Sequence, residues 1–178
     1  LCGGLIDVLG RAPPLVLVAL GLAMVIATRG IDVSVGAVVA IAAAVAAWMI
    51  GGAVSGTESR FPLPVAIAGA MGVALLCGLW NGALVAKVGM QPIIATLILM
   101  VAGRGIAQLI TDGQIITIYY SPFFFLGGGY LLGLPFSLFV VAAVFAVLYL
   151  AVTRTALGLF VQAVGINPSA ARVAGVQA

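Results

Sequence analysis

An all-α, polytopic membrane protein is what this sequence predicts, a helical bundle of about five transmembrane spans followed by one short cytoplasmic helix. Three observations lead there. Hydrophobic residues make up 65% of the 178 residues and charged ones 6%, against a charged share of roughly a quarter in ordinary soluble domains. Apolar stretches with almost no charge recur along the whole length, most of them close to the roughly twenty residues that a helix needs to cross the hydrocarbon. Between residues 154 and 176 the pattern breaks, and a short helix framed by an asparagine and a glycine stands where another span would follow.

Residues 1–12 read as a short polar lead carrying Asp7 and Arg11, and Pro13-Pro14 as the opening of the first span, because proline suits the first turn of a helix. The apolar run 15–28 is short for a crossing, so residues on one side of it, 11–14 or 29–31, are expected at membrane depth. Ala19, Ala23 and Ala27 offer a small-residue face to a neighbour. Next comes Arg29-Gly30-Ile31-Asp32-Val33-Ser34-Val35-Gly36, which reads in two ways. It is a turn in which Asp32 or Ser34 caps the following helix, or an unwound segment lining a path, since an intramembrane carboxylate is costly without a task.

Residues 35–53 form the second span, with Trp48 near one end as an interfacial aromatic, and 55–60 a polar loop. Pro62 and Pro64 open the third span, which carries Ala66, Ala70, Ala74, Gly78, Gly82 and Ala86 at every fourth position. Such a stripe predicts a buried central helix. Asn81 beside it reads as an interhelical hydrogen-bond partner or as a polar group in a translocation path. Pro92 starts the fourth span, which reaches Ile110 and contains Gly103-Arg104-Gly105. Arg104 snorkels or pairs with Asp112, or else reaches into a lumen. The long connection 111–133 holds Tyr119, Tyr120, Phe123, Phe124, Phe125 and Tyr130, expected as an aromatic belt or as a re-entrant element, with a hinge at Gly127-Gly128-Gly129. Residues 134–152 make the fifth span.

In the final stretch Asn167 is placed as an N-cap, Pro168 as the first helical residue and Gly175 as the left-handed residue that closes the far end. The helix between them presents Ser169, Ala170, Ala171 and Ala174, small side chains that let a partner approach the backbone, with Arg172 near its C-terminus where a cation is favoured. A docking plug fits this composition better than a catalytic centre.

The series Gly158, Ala163, Gly165, Asn167, Ala170, Ala171, Gly175 resembles the coupling loop of permease subunits from bacterial ABC sugar importers of the ribose type. Gly30 to Gly36 is a second matching block, and residues 95–118 are most similar to the galactofuranose-type importers within that family. The resemblance implies residues 1–152 as the membrane part and 153–178 as the cytoplasmic coupling loop. It also implies a multi-pass location in the bacterial inner membrane and a monosaccharide path with Asp32, Ser34, Asn81 and Arg104 as candidates. The coupling contact falls to Gly165, Asn167, Pro168, Ala170, Ala171, Arg172 and Gly175. The implied partners are a cytoplasmic ATP-binding subunit, a second permease subunit and a periplasmic sugar-binding protein. With no initiating Met and an end soon after the coupling helix, the chain is expected to be a fragment of about half a subunit.

Several chemistries are excluded. The chain has no histidine, which removes His-based acid–base catalysis and the common zinc sites. No Gly-x-x-x-x-Gly-Lys-Ser/Thr loop is present, so ATP would have to act through a separate subunit. No enzyme activity and no cofactor are expected. Seven dispersed cations make no stripe for nucleic acid. The positive-inside rule, with Arg154 and Arg172 inside, places Arg29 and Lys87 there and Arg11, Arg60 and Arg104 outside. The rival reading is an ion-coupled secondary transporter or channel fragment, resting on Asp32 and Arg104.

Overall fold

The computed structural model describes residues 2–51 and 60–176. The chain is helical almost throughout: α1 (Cys2–Ala27), α2 (Val35–Ile50), α3 (Leu63–Ala86), α4 (Pro92–Ile110), α5 (Ser121–Gly128), α6 (Phe136–Arg154), α7 (Ala156–Ile166) and α8 (Pro168–Val173), with a small hairpin, β1 (Tyr130–Leu131) and β2 (Leu134–Pro135). Four helices are long and apolar enough to cross a membrane, Asp7–Ala27 within α1, α3, α4 and α6. The expected second span is the shorter α2, whose 16 residues rise about 24 Å. Its expected continuation to Ala53, and the polar loop at 55–60 apart from Arg60, lie outside the described residues.

Two compact units make up the chain, one of residues 32–125, the other of the residues before 32 together with those from 126 on. In the first, α2 packs against both α3 and α4, and those two touch each other less extensively. The packing uses small residues, as expected where lipid offers no hydrophobic drive for helix association. Ala37, Ile41 and Ala44 of α2 are buried, as are Ala95, Leu99 and Gly103 of α4. Gly103 is the point of closest approach, since a Cβ there would stand 3.0 Å from Ala37 Cβ and 3.1 Å from Ile41 Cδ1. Gly69 does the same for α3, where an added Cβ would meet Met49 Sδ at 2.7 Å. In the last turn of α2, Trp48 lies beside Phe61, ring centroids 6.3 Å apart, with the Arg60 guanidinium 5.4 Å over the indole. An amphipathic aromatic under a cation is the arrangement expected at a membrane surface.

In the second unit α1 packs along α6 and meets α7 and β2. The expected polar lead is helical, and Pro13 and Pro14 lie inside α1 rather than opening it. Pro13 is fully buried. A proline interrupts one backbone hydrogen bond but is tolerated in membrane helices when neighbours cover the gap. The helix runs continuously through residues 11–14 and ends before 29–31, and Asp7 and Arg11 become an exposed i,i+4 pair at 3.1 Å. The side chains of Ala19, Ala23 and Ala27 are exposed rather than packed under a neighbouring helix among the described residues. The long connection folds into α5 and the hairpin, whose two turn residues, Leu132 at φ 54° and Gly133 at φ 81°, carry the paired positive angles of a tight primed turn.

The expected burial of α3 does not hold along its length. Ala66 and Asn81 are its buried residues, while Gly78, Gly82 and Ala86 are exposed. Each step of four residues advances about 40° around a helix, so a strict four-residue period carries Ala86 about 200° from Ala66. The stripe winds to the opposite side. At the end of α4, Asp112 adopts φ 51° and closes the helix through Gly113 N to Gln108 O at 2.8 Å and Asp112 N to Leu109 O at 3.3 Å. No ion pair joins it to Arg104. Eight residues of helix separate them by about 12 Å.

The close approach at Gly103 has a direct consequence for stability. Gly103→Val is expected to destabilise the protein by about 1–3 kcal/mol through overpacking against α2, whereas Gly105→Ala, with open space around its Cβ position, should be near neutral. Thermal denaturation of both variants in detergent checks the contrast.

Candidate functional site

Two places bring the candidate residues together. The first is polar and lies between the start of α2 and the later half of α3. Asp32 Oδ1 accepts from the Ser34 amide at 2.7 Å and from the Ser34 hydroxyl at 2.6 Å. Asp32 therefore makes a local turn immediately before α2, and Ser34 takes the N-cap position without a side-chain cap bond of its own. The hydroxyl accepts in turn from Asn81 Nδ2 at 2.9 Å. The single Ser34 proton is spent on the carboxylate, so only an N–H of Asn81 can face it, which fixes the amide orientation. Ser34 is fully buried and Asn81 is 9% exposed. Asn81 Oδ1 is buried without a hydrogen-bond partner. A buried, unpaired acceptor costs about 1–3 kcal/mol, so the cluster is poised to take a donor. Both readings of the sequence hold here in part: Asp32 makes a turn, and Asn81 is an interhelical partner. Arg104 is exposed and makes no hydrogen bond or ion pair with any of the three.

The second place is the α7–α8 module. Asn167 caps α8, its Oδ1 accepting from Ser169 N and Ala170 N at 3.1 Å each. Pro168 is the first helical residue, and Gly175 at φ 87° closes the other end. Val176 N donates to Ala171 O and Gly175 N to Arg172 O, both at 3.0 Å, the paired bonds of a Schellman closure. The helix spans 6 residues, of which Ser169, Ala170, Arg172 and Val173 are exposed, as is its C-cap Ala174. Ala171 is buried, so it anchors α8 rather than contributing to the expected docking face. Thr28, Phe160, Val161, Val164, Ala174, Gly175 and Val176 line a largely apolar hollow of about 600 Å³ beside α8.

The eleven-residue α7 was not foreseen from the sequence, where residues 156–166 fall in the expected coupling loop with no helix assigned. Thr155 caps it, Oγ1 accepting from Leu157 N at 3.3 Å, and that hydroxyl also bonds back to Ala151 O. Thr155 before an apolar run with one polar residue, Gln162, was the available signal. Gly158 and Gly165 are close-approach points, the first against the Val152 backbone and the second against Ala27 O. Arg29 was also missed as a functional residue. Its Nη2 donates to Ile166 O at 2.8 Å, which joins the end of α1 to the end of α7.

The sequence of residues 4–178 matches the model of a family described as branched-chain amino acid transport system / permease component. The chain belongs to this permease family. With four helices long and apolar enough to cross a membrane, it is a multi-pass membrane member of that family. Among curated relatives it is 50% identical to the galactofuranose transporter permease protein YtfT of Escherichia coli (strain K12), over 99% of this chain and 50% of the relative. It is 38% identical to the fructose import permease protein FruF of Bifidobacterium longum (strain NCC 2705), over 99% of this chain and 49% of that protein. Identity to the ribose import permease protein RbsC of Haemophilus influenzae (strain ATCC 51907 / DSM 11121 / KW20 / Rd) is 33%, over 97% and 52%. The chain thus spans about half the length of the curated relatives it matches. No solved structure matches it.

The polar cluster gives a second expected outcome. Ser34→Ala removes the acceptor of Asn81 Nδ2 and one donor to Asp32, and should lower stability by about 2 kcal/mol. Asn81→Leu in the same background should cost less than the two single changes added together, because the two residues share one bond. A double-mutant cycle read by thermal denaturation in detergent measures this.

Proposed function

We propose that the chain is part of the permease subunit of an ATP-driven monosaccharide importer. The observation that carries this reading is the 50% identity, over nearly the whole chain, to a protein named as a galactofuranose transporter permease. The fructose and ribose import permeases among the relatives support a sugar as the cargo class. Identity highest to the galactofuranose protein among these three supports a furanose of that kind as the cargo.

In this reading residues 1–152 form the membrane part and 153–178 the cytoplasmic coupling region, in a bacterial inner membrane. The chain has no phosphate-cradling loop of its own, so a separate cytoplasmic ATP-binding subunit supplies the energy through contact with α8. Ser169, Ala170 and Ala174 present small side chains to that subunit, Asn167, Pro168 and Gly175 hold the helix, Ala171 anchors it, and Arg172 places a cation in its last turn. Gly165 lets α7 lie against the end of α1. The exposed small face of α1 and the exposed half of the α3 stripe suit further membrane helices, such as those of a second permease subunit. A periplasmic binding protein delivers the sugar, and alternating access moves it past the Asp32, Ser34 and Asn81 cluster, whose unpaired Asn81 oxygen accepts from a hydroxyl.

An ion-coupled transporter would need an ionisable site at Asp32 and Arg104. Asp32 Oδ1 is occupied by Ser34, Arg104 makes no ion pair with Asp32, and no cluster of three or more acidic or thiol ligands exists among the described residues. The first reading is therefore the stronger.

Ala170→Glu tests the docking assignment, because Ala170 is exposed on α8 while Ala171 is not. In the full-length permease co-expressed with its ATPase, Ala170→Glu should abolish co-purification and sugar-stimulated hydrolysis, and Ala170→Ser should retain both. Full retention in Ala170→Glu would remove α8 from the docking surface.

A further inference from the structure

We infer that Arg29 is a positioning residue that transmits displacement of the α7–α8 module to the first membrane span. The inference rests on the docking reading of α8 and goes beyond it by naming the link from that helix into the bundle.

The link begins with an unusual backbone position. Arg29 has φ 61°, a left-handed conformation that crowds a Cβ and favours glycine. It closes α1 in a Schellman turn, with Gly30 N to Val25 O at 3.0 Å and Arg29 N to Ile26 O at 2.9 Å. Thr28 Oγ1 donates to the same Val25 carbonyl at 2.8 Å and stiffens the turn. Glycine would hold this turn at lower cost, and glycine is abundant in the chain, 24 of 178 residues. The arginine supplies what glycine lacks, a guanidinium whose Nη2 donates to Ile166 O at 2.8 Å.

Ile166 is the last residue of α7, so its carbonyl is one of those that the helix itself leaves open. A cation there meets the negative end of the helix and makes a charge-assisted bond. The bond is exposed, so screening keeps its contribution to stability small. Stability is a weak reason to hold arginine in a left-handed turn. A mechanical reason is stronger, because a second contact acts at the same place. A Cβ at Gly165 would collide with Ala27 O, so the backbones of α7 and α1 touch with no side chain between them. The next residue after Ile166 is Asn167, the cap of α8. A push or pull on α8 therefore reaches Ile166 with no flexible linker, and passes to α1 through one hydrogen bond and one backbone contact.

Reconstitution of the full-length permease with its ATPase in vesicles tests this, comparing wild type, Arg29→Gly, Arg29→Lys and Ala170→Glu. Three quantities are read: co-purification with the ATPase, melting temperature in detergent, and monosaccharide transported per ATP hydrolysed. Arg29→Gly should bind the ATPase as wild type does and melt at the same or a higher temperature, because the turn loses its strained residue. Its transport per ATP should fall by at least about fivefold, with Arg29→Lys between it and wild type. An unchanged ratio in Arg29→Gly, or a lower melting temperature, would make Arg29 a mere cap and overturn the proposal. Loss of co-purification in Arg29→Gly would also overturn it, since the residue would then serve docking itself. Failure of the docking reading appears separately, as a wild-type complex that survives Ala170→Glu.

Discussion

Every backbone polar group in hydrocarbon needs a partner from the protein, and the ends of the helices are where this chain has to supply them. Proline stands at or next to the start of α3, α4, α6 and α8, where a missing N–H costs nothing. The opposite ends are closed by left-handed residues, Arg29 after α1, Asp112 after α4 and Gly175 after α8. Between such closures the chain is free to be almost featureless. It spends its few polar residues at boundaries, and the two groupings of interest, the Asp32 cluster and the α7–α8 module, both grow out of helix ends.

Packing between the closures follows a different rule. With lipid on the outside as apolar as the side chains inside, helices gain from association by van der Waals contact and a few hydrogen bonds. In the unit of residues 32–125 the contact is achieved with alanine and glycine, Ala37 and Gly103 between α2 and α4, Gly69 facing Met49 between α3 and α2. A buried hydrogen bond between side chains there, Asn81 to Ser34, ties α3 to the start of α2. Large apolar residues such as Leu75, Leu76, Phe145 and Val147 point outward, each more than half exposed, as a membrane helix permits and a soluble one does not.

What the sequence made legible divides along the same lines. Spans were readable because hydropathy and length are local, and so was α8, whose Asn167, Pro168 and Gly175 are adjacent signals of start and stop. The Asp32 turn was readable for the same reason, since its partner is two residues on. Its bond to Asn81 spans 47 positions and depends on how α2 and α3 pack, which no local pattern encodes. The α3 stripe misled because a period of four exceeds the 3.6 residues of a helical turn, so regular spacing in sequence became a spiral in space. The prolines at 13 and 14 misled because their local rule for soluble helices is relaxed where neighbouring segments cover the broken hydrogen bond. The α7 helix was hidden by its glycines, which local propensity scores as breakers and which tertiary contact with Val152 and Ala27 requires.

The placement of these contacts bears on how force could travel through such a protein. Weakly held faces of alanine and exposed leucine transmit displacement poorly unless helices move as rigid bodies, and rigid bodies are best driven from their ends. The end of α1 is where this chain concentrates its rigid connections: a Schellman turn, a threonine back-bond, a backbone contact at Gly165 and the Arg29 guanidinium on the last carbonyl of α7. A helix end fixed at several points turns a small displacement of α8 into a tilt of the whole 26-residue α1, because the lever is long and the fulcrum short. The same economy that satisfies the backbone at the helix ends thus supplies, in the proposed reading, the joint through which a soluble partner moves the membrane-embedded part.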